Sequence, residues 1–109
     1  MSEKAELNRS HKIEALLGFA LKSNSICKGM DSIAKEVARN NIGLVFELQK
    51  VSENTHTKLD RLLSRYRVPL VKYSDQTFLE KCGLKRCKLL GVKHGALSDG
   101  LLQLLKQEC

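Results

Sequence analysis

The sequence has no tryptophan, one proline, three phenylalanines and two tyrosines. So few aromatics argue against a platform that stacks successive single-stranded bases. No pair among Cys27, Cys82, Cys87 and Cys109 has the C-x2-C spacing of zinc ribbons and redox motifs, and His11, His56 and His94 stand singly. Reduced, structural thiols are therefore expected, with no metal site. Cys82 and Cys87 are near enough to meet across a turn, but nothing demands a bond. Also missing are G-x-S-x-G, G-x-x-x-x-G-K-[ST] and G-x-G-x-x-G, so neither a nucleophile elbow nor a phosphate loop is present. Glu47 is the one carboxylate in an unusual place, within an apolar run, and a bond to a neighbouring helix or basic side chain accounts for it better than general-acid work. Neither an enzyme nor a cofactor is expected. No apolar run approaches the roughly 18 residues of a membrane span. Residues 1–6 mix charges and lead into no secretory signal, which points to the cytoplasm.

Charge is what the chain has in quantity. Nineteen Lys and Arg face twelve Asp and Glu, a formal net charge of +7. The excess is internal, since residues 22–93 hold 15 basic against 7 acidic residues while the two ends hold 4 against 5. A basic surface on the folded body suits a polyanion, RNA or DNA before a membrane. A length of 109 residues suits one domain, with its core over about 10–107.

Apolar spacing alternates between helical and extended from end to end. Ile13, Leu16, Leu17, Ala20 and Leu21 predict a first helix capped by Ser10. Ser25 to Lys28 reads as a short strand. Met30, Ile33, Ala34, Val37 and Ala38 predict a second helix stopped by Asn40 and Asn41. Residues 42–48, IGLVFEL, read as a strand covered on both faces. A third helix, capped by Ser52 or Asn54, carries Leu59, Leu62, Leu63 and Tyr66, and Pro69 opens the strand PLVKY. Ser74 and Asp75 cap a fourth helix through Phe78, Leu79 and Cys82, with Gly83 in the left-handed position beyond it. A strand over 88–92 and a final helix from Ser98 complete the series. Such alternation predicts an α/β fold, a three-layer α/β/α sandwich with a four-stranded mixed sheet.

Two stretches carry the candidate chemistry. In NSICKGMDSIAKE, residues 24–36, a helix starting near Gly29 leaves its first amides unpaired and its positive dipole end outward, a seat for phosphate. Lys28 precedes that seat and Lys35 follows about one and a half turns later. The plainer reading is a cap-region glycine beside solvated lysines. In GLKRCK, residues 83–88, Lys85, Arg86 and Lys88 accompany Leu84, expected to be exposed. If both loops reach one edge of the sandwich, they form a single basic surface suited to structured RNA.

Residues 15–73 followed by KCGLKRCKLLGV resemble the kink-turn-binding ribosomal-protein superfamily, of the archaeal seven-Ae and eukaryotic thirty-e type. The nearest branch is the bacterial YlxQ-like one, whose LVLLA, ASENT and GVP elements read here LVFEL, VSENT and RVP. This resemblance spans about residues 13–93 and implies a sandwich that binds kinked RNA stems without catalysis. It implies structured RNA, foremost ribosomal RNA, as the partner, with ribosomal proteins as possible neighbours. The family's contact loop is G-x-N-E-x-x-K. Gly29 and Lys35 match its ends, whereas Asp31 and Ser32 replace the asparagine and glutamate that read guanine edges. Gly83 to Arg86 match the second contact loop. The RNA-binding set implied is Lys28, Gly29, Asp31, Lys35, Leu84, Lys85 and Arg86, with phosphate contacts kept and base readout weakened. Two further readings remain: a protein-docking module using the leucine-rich end LSDGLLQLLKQEC, and the recognition half of an RNA methyltransferase acting in trans.

Overall fold

A computed structural model describes residues 2–73 and 76–106, with side chains from 11 to 73 and from 76 to 105. The elements are α1 (Ser2–Lys22), β1 (Ile26–Lys28), α2 (Met30–Ala38), β2 (Ile42–Glu47), α3 (Glu53–Tyr66), β3 (Leu70–Lys72), α4 (Gln76–Lys81), β4 (Leu89–Lys93) and α5 (Ala96–Lys106). The four strands form one mixed sheet ordered β1-β4-β2-β3, with β2 parallel to β3 and β4 antiparallel to both β1 and β2. The α/β/α sandwich is therefore as expected.

Side-chain alternation along the strands sorts the core into two layers. Leu44, Phe46, Leu48, Leu90 and Val92 pack with Ile13 and Leu17 of α1, Leu79 of α4 and Leu101 of α5. On the opposite face Val45 and Leu89 meet Ile33 and Val37 of α2 and Leu59 and Leu63 of α3. Ile42 belongs with Val45 although simple alternation would place it with Leu44. A register irregularity between Ile42 and Leu44, at Gly43, shifts the phase. Gly43 is also where α5 comes closest, since a Cβ there would lie 2.8 Å from Ser98 Cβ.

Helix ends follow one device. At the close of α1, α2, α3 and α4 the residues Asn24, Asn40, Arg67 and Gly83 take positive φ of 57°, 57°, 58° and 72°. In each case the next amide reaches back five residues: Ser25 to Ala20, Asn41 to Glu36, Val68 to Leu63 and Leu84 to Leu79, at 2.8–2.9 Å. This is the Schellman arrangement, which satisfies carbonyls the helix leaves orphaned.

Several boundaries differ from the sequence expectation. Ser10 is inside α1, because Glu, Lys, Ala, Leu and Arg in residues 3–9 favour helix by propensity without an apolar stripe to announce it. Ser98 is inside α5, fully buried, where its hydroxyl accepts from the Gly95 amide at 3.1 Å. The expected cap at Ser74 and Asp75 lies outside the described residues. Leu101 is wholly buried, and Leu102, Leu104 and Leu105 pack partly buried against the same layer, so the core accounts for these leucines. No described helix is long and apolar enough to cross a membrane.

Candidate nucleic-acid interface

The strand directions decide which loops meet. Because β4 runs against β1 and β2, its first residue lies at the end of the sheet where β1, β2 and β3 finish. The β1–α2, β2–α3 and α4–β4 loops therefore share one edge, and backbone bonds tie them there. The Gly29 amide donates to Leu89 O at 3.1 Å, and the Leu48 amide donates to Lys88 O at 2.8 Å. Gln49 Nε2 adds a bond to Lys85 O.

Between these loops lies an open groove of about 590 Å³. Lys28 and Gly29 line it from one side, Arg86 and Lys88 from another, and Ser52 and Thr55 from the start of α3. No described acidic residue lines it. Gly29 stands at the N-cap of α2 with φ 86° and ψ 158°, a conformation that only glycine adopts without strain. Its own amide is taken by Leu89, and its carbonyl accepts the first helical bond, from Ile33 at 3.0 Å. The amides of Met30, Asp31 and Ser32 have no acceptor among the described residues, and no side chain caps this helix. By contrast α3 is capped, Ser52 Oγ accepting from the Thr55 amide at 3.2 Å. One helix end at this edge is thus closed and the other open.

Burial pushes the Cys87 thiol above its ordinary 9.0, and the nearby Lys28 charge only partly offsets this. Cys87 Sγ donates to Leu89 O at 3.1 Å. Cys27, Cys82 and Cys87 are all free.

The expected contact residues divide into four groups. Lys28, Gly29 and Arg86 come together in the groove, joined by Lys88. Lys85 is exposed on the same loop but lies 3.4 Å from Glu80, an ion pair that spends part of its charge. Asp31 and Lys35 are exposed on α2 without lining the groove; Lys35 sits in the last turn, further from this edge than the spacing had suggested. Leu84 corrects the expectation outright, being fully buried rather than exposed. Its amide closes the Schellman turn onto Leu79, and that motif turns the following side chain back onto the helix it ends. Ser52 was legible in the sequence only as a capping residue, and Thr55 was not singled out. Their place in the groove follows from the strand order, which no local pattern encodes.

Comparison with known proteins adds the fold and little more. No family model and no curated protein matches the sequence. Among solved structures, a Bacillus halodurans protein described as having unknown function superposes with a TM-score of 0.72 at 23% identity, over 87% of this chain and 97% of the other. A 15.5kD RNA binding protein of Giardia lamblia gives a TM-score of 0.69 at 16% identity, over 92% and 87%. At such identities the likeness is one of fold.

Proposed function

We propose that this chain is a non-catalytic RNA-binding protein that holds structured RNA at the basic edge where the β1–α2 and α4–β4 loops meet. The observation that carries the reading is the convergence of Lys28, Arg86 and Lys88 on an uncapped helix start in a groove that no described acidic residue lines. Open amides and a positive dipole end favour phosphate, and fixed cations add to that preference. The Giardia lamblia neighbour, an RNA binding protein, supports the same direction.

The contact set is Lys28, Gly29, Lys85 and Arg86, joined by Lys88, with Asp31 and Lys35 at the margin. Asp31 complements the positive end of α2 and so competes with an incoming phosphate for it. Ser32 is too short to reach base edges. The mode is therefore backbone recognition of a kinked or otherwise structured stem, with ribosomal RNA the foremost candidate and a YlxQ-like member of the kink-turn superfamily the proposed kinship. Ribosomal proteins are then natural neighbours.

A gel-shift series tests this with a kink-turn stem and ribosomal RNA fragments at 50 and 200 mM salt. Binding to at least one of them that weakens with salt, and weakens further in Arg86→Ala/Lys88→Ala, is the expected result. Failure to shift any structured RNA even at low salt would contradict the reading.

A further inference from the structure

A second groove, of about 630 Å³, opens beside the first, between the ends of β2 and β3 and the start of α3. Val51 lines both, so the two adjoin across the β2–α3 loop. The second one is chemically different. Glu47 lines it, with a side chain only 10% exposed, and Glu47 Oε1 is buried without a hydrogen-bond partner among the described residues. The nearest cationic candidate, His56 Nε2, is 3.7 Å away, beyond hydrogen-bond reach, while His56 Nδ1 faces Asp60 Oδ2 at 3.2 Å. A buried carboxylate left in this condition is costly, and such a group at the wall of a groove suits a ligand that brings donors.

The other lining residues narrow the ligand. Lys50 and Lys72 border the groove, and the rings of Tyr73 and His56 line it. A cationic ligand would meet the two lysines, and a simple anion would meet the carboxylates of Glu47 and Glu53. A molecule with neutral donors at one end, a flat apolar body and an anion at the other satisfies all three. Guanine in an RNA strand is such a molecule, since N1–H and the N2 amino group form a paired donor edge for one carboxylate, and its phosphate suits lysine.

We infer that the Glu47 groove is a base-reading site for an unpaired guanine, adjoining the phosphate-binding edge and supplying the discrimination that Asp31 and Ser32 cannot. The inference rests on the RNA-binding reading above. It assigns Glu47 the role of acceptor for the guanine donors, Lys50 and Lys72 that of phosphate contacts, and Tyr73 and His56 that of walls for the base.

The test uses two RNA hairpins that differ only in one bulged base, guanine or adenine, together with free guanosine and adenosine 5′-monophosphates observed through the His56 and Tyr73 resonances. The wild-type protein should prefer the guanine bulge about tenfold, within the range a bidentate base contact supplies. In Glu47→Gln, which keeps shape but offers one acceptor and one donor, that ratio should fall towards one while affinity for the adenine hairpin is unchanged. Arg86→Ala should weaken both hairpins equally and keep the ratio. Guanosine monophosphate should shift the His56 and Tyr73 signals at concentrations where adenosine monophosphate does not. Equal binding of the two hairpins by wild type, with their salt dependence intact, would overturn the base-reading site alone. Loss of binding to both hairpins at low salt would overturn the RNA reading and this inference together.

Discussion

Replacing Glu47 by leucine should make the free protein more stable. The side chain is nine-tenths buried, Oε1 has no hydrogen bond, and His56 Nε2 at 3.7 Å is too far to supply one. A buried acceptor left unpaired costs about 1–3 kcal/mol, and the half-exposed His56 returns at most about 1 kcal/mol as a screened ion pair. Leucine is close in size, extends the apolar surroundings provided by Leu48, Val51 and Tyr73, and leaves no orphaned oxygen. The net expectation is a gain of about 1–2 kcal/mol. At roughly 4 °C per kcal/mol for a chain of this length, the melting temperature should rise by about 4–8 °C. Urea unfolding followed by circular dichroism reads the same change as a higher midpoint at constant slope. A double-mutant cycle with His56→Ala should give a coupling below about 0.5 kcal/mol. If Glu47→Leu instead lowers stability by more than about 1 kcal/mol, or the cycle shows strong coupling, the carboxylate is satisfied within the free protein. Glu47 would then have no need of a ligand.

Two other perturbations probe the frame. Gly43→Ala places a Cβ 2.8 Å from Ser98 Cβ, so α5 must shift off β2, and thermal melting should report a loss of about 1–3 kcal/mol; Gly18→Ala, with open space around it, is the control and should be neutral or mildly stabilising. Burial raises the Cys27 and Cys87 thiols above 9.0, with Glu36 adding to the effect at Cys27. These thiols contribute stability that is fully present below pH 9.0 and is lost as pH rises through their folded values, so urea midpoints should fall in that alkaline window. At pH 8 both should alkylate more slowly in the folded protein than in urea.

The sequence made the layers legible because each strand and helix carries its own pattern. The run from Ile42 to Leu48 reads as a covered strand since both faces are apolar, and Ser52, Asn40 and Pro69 mark boundaries by chemistry that acts within a few residues. What escaped was of two kinds. Helix over residues 3–9 rests on propensity without periodicity, so an apolar count starts it too late. Leu84 was misplaced for a different reason: its neighbours Lys85 and Arg86 suggested a solvated loop, whereas Gly83 at φ 72° folds the next residue onto Leu79. The site was half legible. Lys28, Gly29 and Arg86 stood out by type and position, but their meeting depends on β4 entering the sheet antiparallel beside β1, a non-local choice. Glu47 stood out as a misplaced carboxylate; its lack of a partner required the distance to His56.

The most direct measurement is the salt dependence of RNA affinity in wild type and in Arg86→Ala/Lys88→Ala. Lys28, Arg86 and Lys88, each contacting one phosphate, should together account for about a 40-fold fall in affinity between 50 and 200 mM salt. Removing Arg86 and Lys88 should lower the slope of log affinity against log salt by about 1.8, leaving about a three- to fourfold share from Lys28. A slope that is the same in both proteins would place the bound RNA elsewhere on the molecule and contradict the assignment of this edge.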